Sequence, residues 1–305
     1  MNKVGYIYDE VFLLHEPPAW HPDSPDRIQS ITSCLKSCGL FDRLVLIKPR
    51  KASLKELSLV HGAAHVEAVR DRGACEIDPD TYASAGSFEA ASYAAGAVME
   101  AVEQCRNNGM SRVFCAVRPP GHHAEADRAM GFCLFNNIAV GARYAQRIGY
   151  RKVFIIDFDA HHGNGTQHIF EEDDSVFYFS THQYPYYPET GKDMDRGRGK
   201  GEGYTYNVPI LAGSGNKDYL AVYQDILPGV VQRFGPDLIL VSAGYDIHAH
   251  DPHANIRVTH EGMHGIVRSI LTSAGVPMVF VLEGGYDLPS LCESVKITIE
   301  EMLRS

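Results

Sequence analysis

A chain of 305 residues with 45% hydrophobic and 22% charged side chains has the size and composition of one large globular domain, outside the disordered, collagen-like and membrane-embedded ranges. Its formal net charge of −10 disfavours general nucleic-acid binding, and no apolar run nears the roughly 18 residues of a membrane span. Seven scattered cysteines with no C-x-x-C pair exclude a disulfide framework, and most are expected as reduced core thiols.

In chain order, "KVGYIY" opens as a strand, and the acids that follow it sit where a signal peptide would continue its apolar region, so a cytoplasmic chain is expected. "SFEAASYAAGAVMEAVEQC" reads as a helix, "RVFCAV" as a strand, "NNIAVGARYAQRIG" as a helix, and "KVFIID" and "SVFYFS" as strands. The segment "TGKDMDRGRGKGEGY", 190 to 204, is Gly-rich and the longest irregular stretch. It would be a phosphate cradle only if a helix followed; the strand-like "TYNVPI" follows instead, so a mobile surface loop is expected. "DLILVSA" and "PMVFVLE" complete the strands. The alternation argues for βαβ units and a mostly parallel sheet in a single α/β domain over residues 1–305.

Four strands end in polar motifs: "CAVRPPGHH" at 115–123, "IIDFDAHHGNG" at 155–165, "LVSAGYD" at 240–246 and "VFVLEGGY" at 279–286. In a parallel sheet these ends share one edge, where open α/β sheets bind ligands. Residues two apart on an extended segment face one side, which aligns Asp157, Asp159 and His161. Burying such groups unpaired costs several kcal/mol per ion, and a cation would remove that cost. Asp159 and His161 can supply two ligands and Asp246 a third, leaving a position for water as catalytic zinc requires; Fe(II) or Mn(II) also suits an oxygen-rich set. A polar network satisfied by backbone amides is the competing reading for "DFDAHH", simple packing is that for His122 and His123, and a helix cap that for Asp246. Tyr286 after two glycines could approach a substrate and donate to a developing oxyanion, or be an ordinary tyrosine in a turn.

Taken together, "RPPGHHA", "GFCLFNN", "DFDAHHGNGTQ", "SAGYD" and "LEGGY" resemble the zinc-dependent histone deacetylase superfamily, with its acetylpolyamine amidohydrolase and acetoin-utilisation relatives, over nearly the whole chain. The resemblance implies an arginase-like three-layer α/β fold with a central eight-stranded, mostly parallel sheet, and hydrolysis of acyl amides on lysine-like amines. It implies Zn²⁺ on Asp159, His161 and Asp246, with His122 and His123 as tandem histidines and Tyr286 as the oxyanion tyrosine. Asp157 would orient His122. Asn164 stands behind His123, as in the class II branch and its bacterial relatives.

By the same resemblance, Gly131 and Phe132 of "GFC", Tyr187 of "YYPETG" and Gly284 of "LEGGY" would line the acyl-lysine channel, and Asp80 of "DPDTYAS" would bind the substrate backbone. A structural K⁺ is implied on Asp157, Asp159, His161, Ser180 and Thr181, and an outer K⁺ on Phe170, Asp173, Val176 and Tyr204. His253 in "DIHAHDPHANI" departs from the family, whose peptide deacetylases carry an apolar residue there and whose polyamine branch carries Glu. Acylated lysine on a protein or peptide is therefore the expected substrate, with acetylated polyamine as the alternative and an inactive acyl-lysine or metal binding module as a reading of another class. Self-association is left open.

Overall fold

The computed structural model describes residues 3–305. Ten strands form: β1 Val4–Ile7, β2 Val45–Ile47, β3 Cys75–Asp78, β4 Thr81–Ala83, β5 Arg112–Cys115, β6 Val153–Asp157, β7 Val176–Gln183, β8 Thr205–Ile210, β9 Leu238–Ala243 and β10 Met278–Leu282. Eight of them make one sheet in the order β2-β1-β5-β10-β9-β6-β7-β8, and every pairing in it is parallel. β3 and β4 form a separate antiparallel hairpin.

The central strands are buried along their whole length, which is why they read as unbroken apolar runs rather than alternating ones. Helices Ser87–Asn107 and Asn137–Arg147 pack on one another, and Asp26–Ser37, Leu288–Arg304 and His260–Thr272 form a second packed set, giving a single-domain three-layer α/β fold. The alanine-rich stripe of Ser87–Asn107 lets it approach its neighbours closely. Asn136 accepts from the Ala139 amide at 3.0 Å and Asp287 from that of Ser290 at 3.1 Å, so both helices start on side-chain caps.

Register carries the functional consequence. Asp157 of β6 lies beside Ser180 of β7 and Ser242 of β9, and Leu282 of β10 beside Ala243 of β9, so the strands finish level. The four polar motifs therefore emerge along one edge. Two expectations change: of the seven cysteines only Cys105, Cys115 and Cys133 are buried, so most are not core thiols; Cys38, just after helix Asp26–Ser37, and Cys75 of β3 are exposed, and Cys34 and Cys292, on helices Asp26–Ser37 and Leu288–Arg304, are half-buried. The basic segment 190–204 is irregular but tied down, with the Arg198 amide donating to Glu171 at 2.7 Å and the Gly203 amide to Arg196 at 2.7 Å. No helix among the described residues is long and apolar enough to cross a membrane.

Candidate active site

Asp157 ends β6, and the chain then turns back on its own carboxylates. The Asp159 amide donates to Asp157 at 3.1 Å and the His161 amide to Asp159 at 2.9 Å. From the neighbouring strand ends, the Gly284 amide donates to Asp159 at 2.8 Å, and Asp246 accepts from the Ala160 amide at 2.8 Å. Asp246 thus closes the turn after β6 rather than capping a helix. A Cβ on Gly284 would come within 2.5 Å of Asp246 and 2.6 Å of Asp159, so only glycine lets β10 pass this close.

Asp159, His161 and Asp246 each present a donor atom, and these atoms all lie within 4.8 Å of one another. His161 Nδ1 sits 3.1 Å from Asp159 and 2.9 Å from Asp246. Both carboxylates are fully buried, and among the described residues their ion-pair partners are imidazoles, never Lys or Arg. Burial and the Asp159 charge push the Asp246 carboxyl up to about 7, against the pull of His161. Two carboxylate oxygens and one imidazole nitrogen converging without a cationic side chain form a donor set that fits a small divalent cation, zinc included.

The tandem histidines differ in what stands behind them. His122 Nδ1 is 3.1 Å from Asp157, whose carboxylate also accepts from the Tyr178 hydroxyl at 3.0 Å. Burial opposes the His122 imidazolium, but Asp157 and Asp159 outweigh it and hold the group up at about 10. His123 Nδ1 instead meets the Asn164 carbonyl oxygen at 2.8 Å. The Asn164 amide group donates to Glu125 at 2.5 Å, which fixes its orientation, makes His123 Nδ1 the donor and leaves Nε2 with a lone pair. Burial, reinforced by His122 and His161, drives His123 well below its ordinary value. Glu125 was not legible as part of this relay.

Over these groups opens a cavity of about 170 Å³, lined among others by Asp80, Phe132, Tyr187, His253 and Tyr286. Gly131 (φ 57°) and Phe132 (φ 68°) both adopt left-handed backbone; a side chain on Gly131 would strike the His123 ring. Phe132 meets Tyr286 edge-on at 5.8 Å, and Tyr187 meets His123 edge-on at 5.3 Å. Asp80 accepts from the Gly131 amide at 3.1 Å, so the hairpin β3–β4 helps hold this wall. His253 stands 4.7 Å from Tyr286. The outlying residues fall elsewhere: the Thr181 hydroxyl lies 2.8 Å from that of Tyr223, the Ser180 hydroxyl 2.8 Å from His182, and Phe170, Asp173 and Val176 flank the turn into β7, where the Tyr178 amide donates to Tyr204 at 2.9 Å.

Behind Tyr286 lies a network that sequence reasoning missed. Asp23 receives Arg27 at 2.7 Å and Arg118 at 2.8 Å, all three fully buried, and Arg27 also donates to the Gly285 carbonyl at 2.7 Å and to that of Glu283. The Arg27 guanidinium lies 4.9 Å from the centre of the Tyr286 ring. Glu283, also buried, accepts from the amides of Gly121 at 2.7 Å and His122 at 3.2 Å, tying the tandem-histidine loop to the tyrosine loop. "RPPGHH" contained Arg118 and "LEGGY" contained Glu283, but neither motif showed what its charge would meet.

The fold and site define an α/β protein with a buried acid–imidazole cluster beside paired histidines at the carboxyl edge of a parallel sheet. Residues 21–302 match the family described as histone deacetylase domain. "Histone deacetylase 5" of Arabidopsis thaliana is 41% identical over 99% of this chain and 49% of its own length, and a "probable deacetylase" of Archaeoglobus fulgidus 39% identical over 93% and 81%. "Polyamine deacetylase HDAC10" of Homo sapiens is 37% identical over 95% of this chain and 46% of its own. The crystal structure of the HDA15 HD domain superposes with a TM-score of 0.95 at 39% identity, covering 100% of this chain and 89% of that one. The chain belongs to the histone deacetylase family; it spans about half the length of the plant and human relatives named here.

The buried Asp23 yields a stability prediction. Burial raises its carboxyl, but Arg118 and Arg27 prevail and hold it well below the ordinary carboxylate range, so the ion cluster stabilises the fold at neutral pH. Asp23→Asn leaves two buried guanidiniums short of charge and should cost roughly 3–5 kcal/mol. Because the wild-type carboxylate takes up a proton on unfolding in acid, the gap should narrow as pH falls below about 4. Urea unfolding of both proteins at pH 7 and pH 3.5 tests this; a gap that is constant or widens in acid would contradict it.

Proposed function

We propose that the chain is a zinc-dependent amidohydrolase that removes acetyl or other acyl groups from the ε-amine of lysine side chains. The observation that carries this reading is the convergence on one cavity of a three-donor cation site, two histidines with opposite proton affinities and a half-buried tyrosine. A zinc ion held by Asp159, His161 and Asp246 would supply Lewis-acid polarisation of the acyl carbonyl and of the attacking water.

The remaining work falls to side chains. His123, with Nδ1 committed to Asn164, offers Nε2 to take the proton of the attacking water and return it to the leaving amine, which would otherwise be a very poor leaving group. His122, held as imidazolium by Asp157, contributes positive charge beside the reacting centre. Burial raises the Tyr286 hydroxyl well above its ordinary value, with Arg27 pulling the other way, so it stays protonated and can donate to the developing oxyanion. Phe132 and Tyr187 would flank the alkyl stem of the substrate, with Gly131 and Gly284 allowing close approach and Asp80 serving its backbone. K⁺ beside the cluster, on oxygens of Asp157, Asp159, His161, Ser180 and Thr181, with a second at Phe170, Asp173, Val176 and Tyr204, is part of the same proposal.

Substrate choice turns on His253. Burial lowers its imidazole, with Asp251 opposing, and the adjacent Asp251 carboxylate is already committed to the amides of Tyr286 at 2.6 Å and His253 at 2.9 Å. The mouth beside Tyr286 therefore presents a neutral ring and no free carboxylate from this loop, which favours acyl-lysine over a substrate with a second ammonium. The likeness to a human polyamine deacetylase supports acetylated polyamine as the second reading.

Tyr286→Phe keeps the ring and removes one donor, so kcat on an acetyl-lysine peptide should fall by about 10² to 10³; unchanged kcat would make Tyr286 structural. Asp246→Ala should abolish stoichiometric zinc by elemental analysis of the purified protein, and a variant that retains full zinc would refute the ligand assignment. Wild-type kcat/KM should be higher for acetyl-lysine peptide than for acetylspermidine, with His253→Glu shifting the ratio toward the polyamine. A wild type that prefers acetylspermidine would reverse the substrate assignment.

A further inference from the structure

A second cavity, of about 390 Å³, opens where β7 and β8 begin, at the sheet edge opposite the carboxylate cluster. It shares no lining residue with the cavity over the histidines. Three cationic side chains line it and no acidic one does: Lys152 just before β6, Arg196 from the basic segment, and Arg233 from the end of helix Leu227–Phe234. On a chain with 28 Lys and Arg against 38 Asp and Glu, three cations from three distant stretches facing one hollow without a carboxylate run against the average surface.

How these cations are held distinguishes them from structural ones. Arg198, two residues from Arg196, is engaged by Glu171 at 3.1 Å and Glu172 at 2.9 Å. Arg196 and Arg233 are exposed, and among the described residues their guanidiniums have neither a hydrogen-bond nor an ion-pair partner. The Lys152 ammonium donates to the Phe234 carbonyl at 2.9 Å, which positions it while leaving other protons free. The same hollow is walled by rings that meet pairwise: Phe177 and Tyr204 at 6.1 Å, Phe177 and Phe234 at 5.5 Å, Tyr204 and Phe234 at 5.9 Å. Tyr206 stacks on Phe179 at 5.5 Å and is 37% exposed.

Aromatic walls suit a planar ring, and unpaired guanidiniums suit phosphate oxygens, which they can grip in bidentate fashion. One phosphate carries about 1.5 to 2 negative charges, so three cations call for more than one phosphate. The volume lies within the roughly 300–1,000 Å³ of small-molecule sites. We propose that this cavity binds a nucleoside diphosphate, its phosphates between Lys152, Arg196 and Arg233 and its base against the aromatic wall. The basic segment contributes through the Arg196 side chain, not through the glycine amides that would form a phosphate cradle.

Calorimetric titration of the whole chain with ADP, adenosine and inorganic pyrophosphate tests the site. ADP should bind saturably and more tightly than either fragment. Arg196→Glu and Arg233→Glu, which break no contact in the fold and should melt like the wild type, should each weaken ADP by about tenfold or more. Lys217→Glu, an exposed charge reversal on helix Asn216–Ala221 outside the cavity, should leave ADP binding unchanged. No saturable ADP binding, equal losses in Lys217→Glu, or pyrophosphate binding as tightly as ADP would each overturn the proposal.

Discussion

Four carboxylates, those of Asp157, Asp159, Asp246 and Glu283, are fully buried at one edge of the sheet with no Lys or Arg paired to them among the described residues. The cost of such burial, several kcal/mol per ion when unpaired, sets the terms for everything around it. Part of it is met by backbone amides: those of Asp159, Ala160, His161, Gly284, Gly121 and His122 all point at these oxygens. Such an array of donors requires several chain turns to meet in one place. Parallel strands finishing in register supply it, because every strand end then releases its loop to the same edge.

Guanidinium charge is kept one layer away. Arg27 and Arg118 surround Asp23 rather than the carboxylate cluster, and Arg27 reaches the tyrosine loop through the Gly285 and Glu283 carbonyls. Had either guanidinium paired with Asp159 or Asp246, it would have filled the place of a cation and left no donor set. The separation lets one buried ion cluster serve as scaffold and the other stay available for a metal.

The strand ends were readable because the chemistry is local there: a buried apolar run followed at once by carboxylates and imidazoles can be recognised without knowing its neighbours. Their meeting at one edge followed from parallel pairing, and the fold came from the alternation of strand and helix. The three-residue strand β2 and the hairpin β3–β4 were not legible, since "VLI" and "CEID" are too short to show a period, and β2 is held by β1, remote in the chain. Asp23 and Arg27 were invisible because "HPDSPDR" carries no local sign of what they meet: only the packing of helix Asp26–Ser37 under the tyrosine loop gives them partners 95 and 258 residues away, respectively. Glu125 likewise carried no local sign of its partner, Asn164, 39 residues on. His253 was marked by its position in a motif, but the engagement of Asp251 with backbone amides had to come from the structure.

The tandem histidines show how much a single partner decides. Their rings lie 4.1 Å apart, both are buried, and burial alone would lower both. With Asp157 behind it, His122 is nevertheless held up at about 10, whereas His123, with the Asn164 carbonyl behind it, goes well below its ordinary value. The first shift deepens the second, because a charged His122 disfavours a second positive charge at contact distance. A neutral amide behind His123 therefore does more than orient the ring: it withholds the charge that would have offset His122. Glu125, bonded to the far side of Asn164, fixes which end of that amide faces the ring, and so which nitrogen of His123 is left to accept a proton.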